Sequence, residues 1–134
     1  MNDAMPMTRL GDPGVAEVIL GQSPPSSAYN DEGEGLPFFQ GKADFGLLHP
    51  VARNWCTAGQ KFARSGDVLM SVRAPVGDVN IATEDCVIGR GIAAIRAGRH
   101  IDQWFLFFAL LHSGPVLQSR ATGTTFASIN RATL

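Results

Sequence analysis

Glycine, proline and other turn-forming residues divide most of this 134-residue chain into short apolar segments. Short segments separated by turns favour a sheet of short antiparallel or mixed strands over a doubly wound parallel sheet. The chain is long enough to bury one core, so we expect a single α+β domain with long loops and one or two helices near the C-terminus. The predicted strands are residues 15–20, 36–40, 67–72, 78–82, 86–88 and 92–95.

A long polar stretch, residues 22–35 (QSPPSSAYNDEGEG), separates the first two predicted strands. Pro24 and Pro25 supply no backbone donor and force extended geometry, so this stretch is predicted to be a loop. Loops of this length inside compact domains are typically functional or disordered.

Residues 101–112 (IDQWFLFFALLH) have a helical pattern that is apolar on nearly every side. Such a helix lies deep in a core or is covered by a partner. We predict that Gly114 and Pro115 interrupt it and that residues 116–120 form a second short helix.

The two apolar faces of this helix receive different predictions. Trp104, Phe105 and Phe108 are predicted to lie in the core. Phe107 and Leu110 are predicted to form an interface with a partner.

The charges are distributed unevenly along the chain. The net charge of −1 argues against a protein that grips nucleic acid by bulk electrostatics alone. Residues 1–35 hold one basic and six acidic residues, a net charge of −5, whereas residues 36–134 hold ten basic and six acidic residues, a net charge of +4. This distribution permits contact with DNA without indicating it.

The composition also bears on location and redox state. Cys56 and Cys86 have no metal-ligand spacing, which favours two reduced thiols in a cytoplasmic protein. We find no signal-peptide pattern at the N-terminus and no apolar run of membrane-spanning length, so no membrane association is expected.

Three short motifs are similar to catalytic or nucleotide-binding signatures, and each is incomplete. Gly41–Lys42 lacks the spacing and the hydroxyl residue of a phosphate-binding loop. In residues 89–94 (GRGIAA) the glycines lead into a predicted strand, whereas a dinucleotide fingerprint requires a helix. We therefore interpret these glycines as a turn between strands, in which glycine permits a positive φ. Residues 23–26 (SPPS) lack the aromatic residue of the DNA amino-methyltransferase motif. The histidines have no ligand-spaced neighbours, so we predict no catalytic centre and no metal site.

Several motifs recur together in an order and spacing typical of one family. They are residues 21–27 (GQSPPSS), 29–30 (YN), 35–46 (GLPFFQGKADFG), 66–78 (GDVLMSVRAPVGD), 88–91 (IGRG), the helix at 102–111, and the turn at 123–126 (GTTF) leading to Ile129. Together they resemble the specificity subunit of type I restriction–modification systems over roughly residues 10–134. The resemblance implies the fold of a DNA-methylase specificity domain.

Specificity subunits of this family typically carry two recognition domains, each followed by a long spacer helix. The resemblance therefore implies a flexible N-terminus at residues 1–9 and a single target-recognition domain at 10–134, with the spacer helix absent. On this interpretation the chain is a fragment, a truncated product or a half-subunit.

The resemblance further implies a recognition module that is not itself an enzyme. In the family this module reads one half of a split site in double-stranded DNA. Methyltransferase subunits then methylate an adenine with S-adenosylmethionine, and a restriction/motor subunit translocates and cleaves. The expected partners are thus DNA and these subunits, and no cofactor is expected to bind this chain.

Base reading requires side chains with paired donors and acceptors, and phosphate contacts come from cations and hydroxyls. The predicted loops offer such groups, and we expect them to converge on one face. The candidate DNA-binding residues are Gln22, Ser23, Ser26, Ser27, Tyr29, Asn30, Gln40, Lys42, Arg73, Arg90, Thr124 and Thr125. Arg73 and Arg90 could equally hold loops together, and Tyr29 could cover the core. An alternative function is a protein-interaction module that binds a methyltransferase subunit without reading DNA.

Overall fold

The computed structural model describes residues 16–73, 76–98 and 102–121, with side chains described as far as residue 112. Within these ranges the chain forms nine short strands and one long helix, α1 (Gln103–Ala121). The strands are β1 (Ala16–Leu20), β2 (Tyr29–Asn30), β3 (Leu36–Phe39), β4 (Trp55–Cys56), β5 (Phe62–Ala63), β6 (Val68–Ser71), β7 (Val79–Ile81), β8 (Cys86–Ile88) and β9 (Ile92–Ala97). Single 3-10 turns lie at Ser26–Ala28 and Lys42–Asp44.

The strands form two sheets. The first has the order β1-β9-β6-β7, and all its pairs are antiparallel. The second has the order β2-β4-β3-β8-β5. In it β3 and β8 pair in parallel, with Phe38 opposite Val87, and the other pairs are antiparallel. Consecutive strands β8 and β9 lie in different sheets, so the turn between them links the two.

The first sheet is buried on both faces. Because side chains alternate along a strand, Val68 and Met70 lie in one apolar cluster and Leu69 lies in the other. The first cluster includes the buried residues of α1, and the second includes Phe39 and Ile88 of the second sheet. The first sheet therefore separates α1 from the second sheet.

Polar groups fix the start of α1 against the first sheet. Asp102 caps the helix, since its carboxylate accepts the backbone N–H groups of Trp104 at 2.9 Å and Phe105 at 3.2 Å. The side chain of Gln103 accepts the Ala97 N–H at 2.7 Å and donates to the Gly66 carbonyl at 2.8 Å. These bonds set the rotation of the helix about its axis.

The helix faces predicted from the sequence are wrong. Phe107 and Leu110, predicted as a partner interface, are each only 5% exposed and pack against the first sheet. Trp104, Phe105 and Phe108, predicted as core, are 53%, 53% and 54% exposed. The physical reason is that a helix apolar on all sides has no periodicity that selects a face, and here the Asp102 and Gln103 contacts select it.

The predicted break in the helix is also wrong. The helical backbone continues from Gln103 through Gly114 and Pro115 to Ala121. Proline removes one helical hydrogen bond but does not always end a helix, and the preceding turns are held by their packing.

The α+β fold class and all six predicted strands are confirmed, with ends shifted by one or two residues. The two-residue strands β2, β4 and β5 were not predicted. No helix among the described residues is long and apolar enough to cross a membrane.

Candidate nucleic-acid interface

Two loops from distant parts of the chain are held against the turn between β8 and β9. After β1, the backbone N–H of Gly21 donates to Ile92 at 2.9 Å and that of Gln22 donates to Ile88 at 3.0 Å. After β3, the Phe39 carbonyl accepts the Gly89 N–H at 2.8 Å. The turn is therefore bonded on both flanks by backbone groups.

The close approach of these backbones requires glycine at two positions. A Cβ atom on Gly21 would lie 1.9 Å from the Gly89 carbonyl oxygen, and one on Gly91 would lie 2.1 Å from the Gln40 carbonyl oxygen. Both distances are far shorter than a carbon–oxygen contact permits. Gly91 therefore serves backbone packing, and neither Gly89 nor Gly91 has the positive φ that their interpretation as a turn predicted.

Two open grooves meet at this turn. The first, of about 810 Å³, is lined by the end of β1 and by Gln22, Ser23, Lys61 and Arg90. The second, of about 700 Å³, is lined by residues that include Gln40, Lys42, Arg53, Asn54, Arg73 and Gly91. Because Arg90 and Gly91 are consecutive, the grooves adjoin each other.

The grooves carry more cations than carboxylates. Lys61 and Arg90 line the first groove with Glu17, and Lys42, Arg53 and Arg73 line the second with Asp44. Within the described part of the chain, the side chains of Lys61, Arg73 and Arg90 have no ion-pair partner, and all three residues are exposed. These groups are available to an anionic ligand.

The structure brings together most of the polar residues predicted from the strand ends. Gln22, Gln40, Lys42, Arg73 and Arg90 are exposed and line the two grooves. Lys42 also forms an ion pair with Asp78, with Nζ 3.2 Å from the carboxylate. That these residues contact DNA stays a prediction.

The loop between β1 and β3 divides its predicted residues between two roles. Ser26 and Ser27 are exposed on the 3-10 turn and do not line either groove. The Tyr29 hydroxyl donates to the Pro24 carbonyl at 2.8 Å, and its ring lies 4.7 Å from that of Phe38. Tyr29 therefore covers the core, which was the alternative interpretation.

Asn30 organises the end of the same loop. Its side-chain oxygen accepts the N–H groups of Glu32 and Glu34 at 3.0 Å, and its amide donates to the Glu34 carbonyl at 2.8 Å. These bonds leave Asn30 with a structural role in the loop. Thr124 and Thr125 lie outside the described residues.

Sequence reasoning missed several polar groove residues, among them Lys61, Arg53 and Asp44. Asp44 is 7% exposed, and its carboxylate accepts the Gln40 N–H at 2.8 Å and pairs with Arg53 at 2.8 Å. The available signal was an aspartate closely following a glycine, a pattern typical of turns closed by a carboxylate. Nothing local marks Lys61 or Arg53, since only the tertiary fold brings them to the grooves.

The described residues include neither a metal-binding cluster nor a disulfide. No group of three or more His, Cys, Asp and Glu side chains is arranged to hold a metal among them. Cys56 and Cys86 are free and buried. Burial raises the pKa of the Cys86 thiol to about 12, and the charges of Asp67, Glu84 and Asp85 act in the same direction.

Comparison with known proteins shows one consistent relationship. No family model matches the chain. A putative type I restriction enzyme MjaX specificity subunit from Methanocaldococcus jannaschii is 43% identical over 129 residues, which are 96% of this chain and 30% of that protein. The chain thus spans under a third of the length of this relative.

Comparison with solved structures shows the same relationship. The HsdS subunit from Thermoanaerobacter tengcongensis is 58% identical, with a TM-score of 0.78 over 83% of this chain and 28% of that chain. A structure described in terms of complex assembly and conformational transition of a type I R-M system gives 58% identity and a TM-score of 0.79, with the same coverage. The S subunit of a type I system from M. genitalium is 14% identical with a TM-score of 0.60, a likeness of fold alone.

The chain forms a small α+β domain with two adjoining open grooves. The similarities identify it as one domain related to the specificity subunits of type I restriction–modification systems, about 30% of their length. This confirms the family indicated by the sequence motifs. The relatives are named as specificity subunits, which agrees with the prediction of a recognition module rather than a catalytic subunit.

Proposed function

We propose that this domain reads a short sequence of double-stranded DNA, as the target-recognition domain of a type I specificity subunit. The observation that carries the proposal is the convergence of exposed Arg, Lys and Gln side chains on two adjoining grooves, held by a glycine-packed turn. The domain's relationship to specificity subunits supports it.

The side chains in the grooves match the chemistry of base and phosphate recognition. Arg90 and Arg73 present paired donors, which suit the O6 and N7 acceptors of guanine. Gln22 and Gln40 present a donor and an acceptor, which suit the edge of adenine. Lys42 and Lys61 suit phosphates as point charges. In this assignment the bound anion replaces Asp78 as the partner of Lys42.

The wider activity belongs to other subunits in this proposal. The domain reads one half of a split site, methyltransferase subunits methylate an adenine with S-adenosylmethionine, and a restriction/motor subunit cleaves. No cofactor binds this chain. In this proposal the domain selects the DNA site, and methylation and cleavage take place in other subunits of the complex.

The test is selection from a pool of randomised duplexes at low salt, with the domain immobilised. We expect enrichment of a short motif. Arg90→Ala should then weaken binding to that motif by about 1–3 kcal/mol and relax one position of it. Arg64→Ala, which removes an exposed arginine outside both grooves, is the matched control and should leave the motif unchanged. No enrichment, with or without a methyltransferase subunit, rejects the proposal.

One observation favours the alternative, a module that binds a methyltransferase subunit without reading DNA. The helix α1 has a large exposed apolar surface for so small a domain. Its described members, each about half exposed, are Trp104, Phe105, Phe108 and Leu111. On this alternative, replacing Phe105 and Phe108 by Ser abolishes co-purification with a methyltransferase subunit, whereas Arg90→Ala does not. Loss of the selected DNA motif in Arg90→Ala, with the motif kept when Phe105 and Phe108 are replaced, supports DNA reading instead.

A further inference from the structure

The turn that carries Arg90 is the structural link between the two sheets. Gly89 follows β8 of the second sheet directly, and Gly91 precedes β9 of the first. The Gly91 carbonyl accepts the Val72 N–H at 3.0 Å, and the Gly89 carbonyl accepts the Ile92 N–H at 3.1 Å. The backbone on both sides of Arg90 is therefore held, whereas its side chain is exposed in a groove.

One backbone donor of the turn is satisfied by a side chain. The N–H of Arg90 donates to the Ser23 hydroxyl oxygen at 3.2 Å, across 67 residues of sequence. The contact is closely packed, since a Cβ atom on Gly89 would lie 2.9 Å from the same oxygen. The backbone of Ser23 is located by its neighbour Gln22, whose N–H donates to Ile88 at 3.0 Å.

We propose that Ser23 is a positioning residue, whose hydroxyl fixes the orientation of the Arg90 turn and thereby the base edge that Arg90 reads. The inference rests on the proposed function of reading DNA. It replaces the sequence-based prediction that Ser23 contacts DNA itself. Bidentate recognition of a base tolerates errors of only about 0.5 Å or 10–20° in the position of the side chain, so the bond at the root of Arg90 matters for discrimination.

Positioning and direct contact have different consequences for binding. Without the hydroxyl, Arg90 keeps its charge and its place in the groove, so its attraction to phosphates persists. The paired alignment with one base is lost. Ser23→Ala should therefore lower the affinity for the selected motif about 3- to 10-fold, as expected for the loss of one hydrogen bond, and leave the affinity for a scrambled duplex unchanged.

The experiment measures the affinity of the domain for the selected motif and for the scrambled duplex. The variants are Ser23→Ala, Ser23→Thr, which keeps the hydroxyl, and Thr57→Ala, a hydroxyl deletion at an exposed residue outside both grooves. We expect a reduced affinity ratio for Ser23→Ala, a ratio restored towards that of the wild type for Ser23→Thr, and no change for Thr57→Ala. Equal losses on both duplexes would show a direct phosphate contact, and unchanged affinities for both duplexes would show no role; either result overturns the inference.

A second measurement needs no DNA. Amide hydrogen exchange should be faster at Arg90 in Ser23→Ala than in the wild type, with an unchanged Tm. Unchanged exchange at Arg90 overturns the positioning role even where the wild type selects a motif. Faster exchange in a domain that selects no motif overturns the proposed function and leaves Ser23 as an anchor of the turn only.

Discussion

At the scale of single residues, Cys86 is a described side chain whose acidity the fold alters strongly. It is fully buried in β8, and burial raises its thiol pKa from 9.0 to about 12, with Asp67, Glu84 and Asp85 adding to the effect. Between these two values the unfolded chain releases a proton that the folded chain retains. The contribution of Cys86 to the free energy of unfolding is thus complete below pH 9 and is lost as the pH rises towards 12.

Cys86 should therefore be inert in the folded protein and a source of alkaline instability. We expect no alkylation of Cys86 at about pH 8 until the chain unfolds, because the thiolate is the reactive form. We also expect stability to fall more steeply between about pH 9 and 10 in the wild type than in Cys86→Ala. Denaturant titrations of both proteins over this range would measure the difference, and parallel curves would contradict it.

Asp44 stabilises the turn that contains Gln40 and Lys42. Asp44→Ala should cost about 1–3 kcal/mol of stability, because the Gln40 N–H and the Arg53 guanidinium lose their shared acceptor. Asp31→Ala is the matched control, since Asp31 is exposed in the loop after β2. Chemical unfolding of the two variants measures the costs. Equal costs for the two would show that the Asp44 contacts contribute no more than an exposed carboxylate.

At the scale of secondary-structure elements, α1 contains a matched pair of leucines on opposite faces. Leu106 is 1% exposed and packs on the first sheet, whereas Leu111 is 47% exposed. We expect Leu106→Ala to cost about 2–5 kcal/mol and Leu111→Ala less than about 1 kcal/mol. Thermal unfolding of both variants tests the observed rotation of the helix. The reverse ranking would support the face predicted from the sequence.

The sequence predicted those elements whose signal is local. Runs such as 67–72 (DVLMSV), bounded by turn residues, were enough to place β6 within one residue. The two-residue strands β4 and β5 were not predicted, because each is defined by its pairing with other strands, β4 with β2 and β3, and β5 with β8. For α1 the pattern gave the helix but not its orientation, since apolar side chains occur on every face.

The residues of the candidate site were also predictable only in part. Gln22, Gln40, Lys42, Arg73 and Arg90 were identified because polar side chains beside turn residues mark loops, and their convergence follows from the sheet pairings. The division between presenting and anchoring roles was not predictable. Tyr29 and Asn30 have the residue types of DNA contacts, but their hydrogen bonds are made within the domain.

At the scale of the whole molecule, the weak net charge limits the electrostatic part of binding. The chain has a net charge of −1, and the described cations of the grooves are Lys42, Arg53, Lys61, Arg73 and Arg90. Two of them, Lys42 and Arg53, are engaged by carboxylates. On the proposed function, contacts with base edges, rather than strong non-specific attraction to phosphates, should therefore account for most of the affinity of this domain for its site.

This predicts a shallow dependence of DNA affinity on salt. With about two phosphate contacts, from Lys42 and Lys61, the slope of log affinity against log salt should be about −2. Removing one cation, as in Lys42→Ala, should make the slope shallower by about 1 for any duplex sequence. Titrations at several salt concentrations give both values. A slope close to zero would contradict phosphate contact altogether.

The pairing of β1 with β9 sets how the domain must be assembled. Ala16 lies opposite Ala97, so the first described strand of the chain closes against the last. Contacts between residues so distant in sequence require a large loop-closure entropy, and folds rich in such contacts fold slowly, in milliseconds to seconds. Because residues 21–23 follow β1 directly, the first groove has no complete wall until that closure occurs. On the proposed function, a newly synthesised chain is therefore unable to read DNA until β9 has been made and has paired with β1.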